Sequence, residues 1–165
     1  MTDTQMFDPS KIILNKTKEK NDFYKILYNN KRLSLELEDI IIPFGIDYDK
    51  YSTYVPIELD QEEAIEFIKN IELAIENRTR EILNNDELKV KSQVRFSKYG
   101  WIVKTKIPKS KFGLSIDCYD KDNRRFSIYD LNENIDGCDV LLYISYIWIK
   151  DNDIFYKWNI KKIKL

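Results

Sequence analysis

The 165 residues of this chain include no histidine. Ser-His-Asp and Cys-His catalysis, an imidazole general base and His-ligated zinc are therefore excluded. Two cysteines, Cys118 and Cys138, are too few for a structural zinc site or a disulfide framework, and they make a reducing, cytoplasmic setting the simpler expectation. Four Gly and four Pro leave little material for a Gly-rich phosphate loop or a flexible linker, and no Walker or dinucleotide motif occurs. The opening residues Met1 to Pro9 are polar and acidic, without the apolar core of a secretory leader, and no membrane partner is expected.

What is abundant is aromatic: eleven Tyr, eight Phe and three Trp make up 13% of the chain. Charged residues reach 33% and the hydrophobic set 43%, a balance that fits one folded domain able to bury a core without covalent staples. The net charge of −1 is a cancellation. Residues 1–87 carry 11 basic and 19 acidic side chains, a net −8, whereas residues 88–165 carry 16 and 9, a net +7. Between Lys89 and Lys111 there is no acid at all, while Phe96, Tyr99 and Trp101 sit within the run of Lys89, Lys91, Arg95, Lys98, Lys104, Lys106, Lys109 and Lys111. Cations interleaved with flat rings suit single-stranded nucleic acid, the cations tracking phosphates and the rings accepting unpaired bases. A solvated basic face whose aromatics point into the core would show the same pattern.

Residues 1–20 read as a flexible tail and 21–165 as one β domain. Phe23–Tyr28 and Arg32–Ile42 form a hairpin about Asn29-Asn30-Lys31, with Leu33, Leu35 and Leu37 on the buried face. Asp60 is an apt N-cap with Glu63 three positions on, and Ala64, Phe67, Ile68, Ile71, Ala74, Ile75 and Ile82 fall on one stripe, predicting a helix over 61–83. Strands are expected thereafter, including Trp101–Ile107, Phe112–Tyr119, Arg125–Leu131, Cys138–Lys150 and Ile154–Lys164. The fold class expected is mainly β: an antiparallel, OB-like barrel of eight or nine strands with one α-helix.

Alternation places Lys89, Lys91 and Arg95 on one face of their strand, Lys104 and Lys106 on one face of the next, and Phe155, Lys157 and Lys161 with Asn159 on one face of the last. Arg125 and Tyr129 form a similar pair. Trp148 shares parity with Val140, Leu142 and Ile144 and is expected in the core, as is Trp158. Trp101 and Tyr99, beside Gly100 and among lysines, are the better stacking candidates. The acids Asp117, Asp120 and Asp122 read as turn chemistry rather than a calcium loop. Glu87-Leu88-Lys89 matches a nuclease tripeptide but has no assignable partner Asp.

The order of these features is familiar. The strand ending in IIIPFG (Ile40–Gly45), the Asp/Tyr loop, YVPIELD (Tyr54–Asp60), the helix, the basic strand pair and GCDVLLYISYIWIKDNDIFYKWNIKKIKL (Gly137–Leu165) resemble a family of small proteins encoded by nucleocytoplasmic large DNA viruses and related linear cytoplasmic yeast plasmids. These are OB-fold single-stranded DNA-binding proteins. The chain departs from them in its hairpin turn, Asp151-Asn152-Asp153, and at Tyr156 and Lys162. The resemblance implies a non-enzymatic single-stranded DNA-binding protein of replication or transcription, needing no cofactor, with the basic strand faces and Tyr99, Trp101, Tyr129 and Phe155 as its DNA surface. Its expected partners are single-stranded DNA, or RNA, and replication or transcription proteins. The alternative class is a structural or assembly subunit that forms a homo-oligomer or docks on such a complex without touching nucleic acid.

Overall fold

The computed structural model describes residues 7–18, 20, 22–48, 52–131 and 134–165. In chain order the strands are β1 (Ile12–Lys16), β2 (Phe23–Tyr28), β3 (Lys31–Ile42), β4 (Asp47–Tyr48) and β5 (Thr53–Leu59). The helix α1 (Glu62–Leu83) follows, then β6 (Lys89–Val90), β7 (Val94–Ser97), β8 (Gly100–Ile107), β9 (Lys109–Ser110), β10 (Gly113–Leu114) and β11 (Asp117–Tyr119). The chain finishes with β12 (Ile135–Ile144), β13 (Tyr146–Lys150), β14 (Asp153–Tyr156) and β15 (Asn159–Lys164).

Five of these strands close on themselves. β3 pairs β5, β5 pairs β8, β8 pairs β15, β15 pairs β12, and β12 returns to β3. Numbered along the chain, the barrel runs first-second-third-fifth-fourth-first, a five-stranded Greek-key barrel of the OB type, as the sequence implies. A second sheet grows from one end of β3, which hands over through β2 to β13, β14 and β6, with β1 on the far side of β2. The bend in the barrel wall is a bulge between β3 and β12, where Asp39 and Gly137 both take positive φ. Asn29 and Asn30, also at positive φ, turn β2 into β3 with the mirror-image geometry that matches strand twist.

The core follows from alternation. Leu33, Leu35 and Leu37 of β3, Val103, Thr105 and Ile107 of β8, and Val140, Leu142 and Ile144 of β12 point inward and are buried. Thr105 avoids an orphaned hydroxyl by donating to the Val55 carbonyl at 2.6 Å. The helix plugs the structure with Ile65, Phe67, Ile68, Ile71, Ala74 and Ile75, each large apolar side chain contributing roughly 1.5–3 kcal/mol. Its N-cap is Gln61, without a side-chain cap bond, because Asp60 directly follows the last residue of β5; the capping box expected at Asp60 does not form. Asn84 stops it in the left-handed conformation, and Ile82 at the margin of the stripe is exposed. No helix among the described residues is long and apolar enough to cross a membrane.

Several expectations change. Part of the supposed tail is structure: Ile12–Lys16 forms β1 against β2, with Ile12 at 0% exposure, while residues 1–6 and 19 lie outside the described residues. The expected runs divide more finely than eight or nine, giving fifteen strands among the described residues. Pairing is not wholly antiparallel, since β15 runs parallel to β8 and to β11, and β14 to β6. Crossover helices are unnecessary because other strands carry the chain back. Arg125–Leu131 is not a strand: Arg125 makes a single bridge to Tyr119, and Ile128–Asp130 is a 3-10 turn capped by Ser127.

Candidate nucleic-acid interface

The outer faces of β5 and β8 form the floor of an open groove. On β8 the outward residues are Ile102, Lys104 and Lys106, and across the ladder Pro56 pairs with Lys104 and Tyr54 with Lys106. Tyr54 is the centre of the floor. The Lys104 ammonium lies 4.3 Å from its ring centroid and the Lys157 ammonium 5.2 Å, so two cations sit over one aromatic face held by the barrel. Arg95 of β7, paired with Ile102, extends the same face. Lys104 also meets Asp47 at 3.5 Å, a half-exposed pair that a phosphate can replace at little cost.

One wall is built by the Pro43-Phe44-Gly45 bend and the β7–β8 turn. Phe44 and Tyr99 meet edge to face at 4.8 Å. Together with Ile46, Gln93 and the floor residues they enclose a depression of about 740 Å³. Tyr99 is held by a tight turn: Ser97 Oγ accepts from the Tyr99 amide at 3.1 Å and donates to the Gly100 carbonyl at 3.1 Å. Gly100 has φ +106°, and a Cβ there would lie 2.9 Å from Glu58 Oε1, so no other residue closes this turn without strain.

The opposite wall is the outer face of the second sheet. Register puts Phe23, Trp148 and Phe155 side by side across β2, β13 and β14. Trp148 stacks on Phe155 at 5.9 Å and on Phe23 at 6.1 Å, with interplanar angles of 14° and 23°, and Tyr146 joins Phe23 at 5.0 Å. Between this row and the floor lies a second depression of about 620 Å³, lined by Phe23, Tyr146, Trp148, Lys20, Lys150 and Lys106 among others. Tyr54 and Lys157 line both depressions, which therefore adjoin as two parts of the candidate channel. In barrels of this type the second and third strands, and the loops joining first to second and fourth to fifth, are where oligonucleotides lie. Here those positions are β5, β8, the Phe44 bend and the β13–β14 hairpin.

Of the residues expected from sequence, Arg95, Tyr99, Lys104, Lys106 and Lys157 line the channel, and Phe155 backs its aromatic wall. The others lie elsewhere. Trp101 has the inward parity of β8 and sits under the Lys69 ammonium of the helix at 4.2 Å, away from the floor. Lys89 and Lys91 are not on one strand face with Arg95, because the chain leaves β6 to bring Gln93 to Glu72 before β7 begins. Lys91 instead pairs with Asp153 at 3.6 Å. Arg125 pairs with Asp117 at 3.3 Å and covers Tyr119. Lys109 and Lys111 flank the tip of the β9–β10 hairpin, near Tyr129. Lys161 occupies a bulge between β15 and β12 and faces solvent. The turn reading is seen directly at Asp120, whose Oδ1 accepts from the amides of Asp122 and Arg124, whereas Asp117 lies in β11 and pairs with Arg125.

Trp148 is a correction of the opposite kind. Expected in the core, it lies on the outer row, because Ser145 interrupts the alternation between β12 and β13 so that Ile144 and Ile147 are both buried. Trp158 is in the core, at 0% exposure. Phe23, Phe44, Tyr54 and Tyr146 were not among the residues expected at the site. The one signal for Phe23, Phe44 and Tyr146 is an aromatic on the polar face of a strand or beside the Pro-Gly bend; Tyr54, on a strand without alternation, has none.

No family model and no curated protein matches the sequence. Solved structures do resemble the fold. The single-stranded DNA-binding protein from bacteriophage Enc34 aligns with a TM-score of 0.53 at 13% identity, over 92% of this chain and 88% of that one. A C-terminal truncation of it aligns at 0.53 with 12% identity, over 94% of both. At this identity the likeness is one of fold alone, an OB-like barrel.

Proposed function

We propose that this chain is a non-enzymatic, sequence-tolerant binder of single-stranded DNA, and that the strand runs along the channel over Tyr54. The observation that carries the reading is the pairing of floor and walls: Arg95, Lys104, Lys106 and Lys157 around Tyr54, between the Phe44–Tyr99 pair and the Phe23–Trp148–Phe155 row. Cations at the floor neutralise phosphates, and aromatic walls take unpaired bases at roughly 1–3 kcal/mol each whatever the base. The phage proteins that share the fold are named for single-stranded DNA binding, which supports the same ligand here. A duplex presents no free base faces to such walls.

The inferred setting is cytoplasmic replication or transcription of a viral or plasmid genome, with other replication or transcription proteins as partners. Its support is the IIIPFG bend and the terminal Trp-turn-aromatic-Trp hairpin. The test is fluorescence anisotropy with labelled oligo-dT at low and high salt, with oligo-U and duplex competitors. Tight, salt-weakened binding that duplex does not compete away is the expected result. Absence of binding at low salt overturns the reading, and preferential binding of oligo-U would make the ligand RNA.

A further inference from the structure

Two turns in this chain are built alike, and only one of them belongs to the channel. Ser97-Lys98-Tyr99-Gly100 joins β7 to β8; Ser110-Lys111-Phe112-Gly113 joins β9 to β10 thirteen residues later. In the first, Ser97 Oγ accepts from the Tyr99 amide and donates to the Gly100 carbonyl, Gly100 has φ +106°, and Lys98 Nζ lies 4.9 Å from the Tyr99 ring centroid. In the second, Ser110 Oγ accepts from the Phe112 amide at 3.2 Å and donates to the Gly113 carbonyl at 3.4 Å. Gly113 has φ +113°, and Lys111 Nζ lies 5.0 Å from the Phe112 centroid. Serine at the first position and a positive-φ glycine at the last are what this tight hairpin loop demands. Neither requirement explains the shared lysine and aromatic between them.

The second turn leaves its ring in solvent. Phe112 is 88% exposed, the most exposed of the large apolar side chains among the described residues. It buries almost nothing there, and a lone exposed ring is ordinary on a protein surface; what sets this one apart is a hydrogen-bonded turn that repeats the Tyr99 turn, with a lysine ammonium over the ring in both. The chemistry of its surroundings names the partner class. No acid occurs between Leu88 and Ile116, the Lys111 ammonium lies over the ring with Lys109 two residues before it in the same hairpin, and the Tyr129 hydroxyl lies 3.9 Å from where a Gly113 Cβ would be. The hairpin follows β8 through Pro108, so Phe112 stands six residues from Lys106 on the channel floor, at most about 21 Å away.

We infer that the Ser110–Gly113 turn is a second platform for single-stranded DNA, with Phe112 stacking on a base and Lys109 and Lys111 on the adjoining phosphates, reached by the strand only after it has filled the channel. The inference rests on the channel's binding single-stranded DNA, and oligonucleotide length separates the two. Titrating oligo-dT of increasing length against wild type, Phe112→Ala and Phe112→Tyr, with light scattering of each free protein, tests it. Expected is equal affinity of all three for the shortest strand that binds. For longer strands Phe112→Ala loses roughly 5- to 150-fold while Phe112→Tyr keeps wild-type affinity. A Phe112→Ala protein equal to wild type at every length overturns the second platform and leaves the channel standing. So does a loss already complete on the shortest strand, and so does a change in the mass of the free protein, which would make Phe112 a protein contact. No binding by wild type at any length overturns both readings.

Discussion

The Tyr156 hydroxyl donates to Glu72 Oε2 at 2.7 Å, and this buried bond ties the helix to the hairpin that walls the channel. Glu72 accepts two more, from Ser92 Oγ at 2.7 Å and the Gln93 amide at 2.9 Å, while Tyr156 accepts from Trp158 Nε1 at 3.1 Å. A carboxylate taken out of water survives only if its lone pairs are met. Tyr156→Phe removes one donor to Glu72 and also the acceptor of the buried Trp158 Nε1–H, and should cost at least about 1.5–3 kcal/mol of stability. Urea denaturation reads this as a lower midpoint at unchanged slope. An unchanged midpoint would mean that water replaces the hydroxyl and that Glu72 is not sealed.

The same interior sets an alkaline limit. Burial pushes the Cys118 thiol up to about 11 and the Cys138 thiol up to about 12, from 9.0, and raises the Tyr156 phenol well above its usual 10.0. Below pH 9 all three hold their protons in both states, so their protonation imposes no penalty on the fold. Above it the unfolded chain releases protons that the native chain keeps, and the unfolding free energy falls as pH rises towards the folded-state values. Urea midpoints should therefore decline from about pH 9 upward. A Cys118→Ala, Cys138→Ala protein should decline less steeply through that window, and a parallel decline would place the cause elsewhere. In the folded protein both thiols should also react slowly with a disulfide reagent at pH 8.

If the channel floor meets phosphates, its cations can be counted by salt. A single strand gives a slope of log affinity against log salt of about −0.7 per neutralised phosphate. Lys104→Gln with Lys106→Gln removes two cations from the outer face of β8, where neither side chain supports the core. The slope should become shallower by about 1.4, with the urea midpoint unchanged. A lower affinity with an unaltered slope would mean that these lysines hold the groove's shape rather than contact the strand.

How far the sequence leads can be seen residue by residue. The alternation of Leu33, Leu35 and Leu37 and the helical stripe from Phe67 to Ile75 are local patterns, and both elements appear where the periodicity puts them. Lys104 and Lys106 are legible for the same reason. Tyr54 is not, because β5 is buried on both faces and carries no alternation; only its pairing with β8 and the approach of Lys157 from the other end of the chain turn it into a floor. The channel is assembled from segments near residues 23, 44–47, 52–56, 93–106 and 145–159, and no local window contains that juxtaposition. A single residue between two strands, Ser145, is enough to reverse the face of Trp148.

Trp101 and Trp148 exchange the roles that sequence gives them, and the exchange is measurable. Among the described residues the ring contacts of Trp148 are with Phe23 and Phe155 on the outer sheet, outside the buried core, so Trp148→Ala should destabilise the fold less than a core truncation and reduce oligo-dT affinity by roughly 5- to 150-fold. Trp101 lies against the core, under Lys69 and beside Phe96 at 5.1 Å. Trp101→Ala should cost roughly 2–3 kcal/mol of stability, with affinity measured well below the melting temperature little changed. Anisotropy and urea denaturation on the two proteins give four numbers. If Trp101→Ala loses affinity at full stability while Trp148→Ala does not, the strand runs over the helix side of the barrel and the channel is not its path.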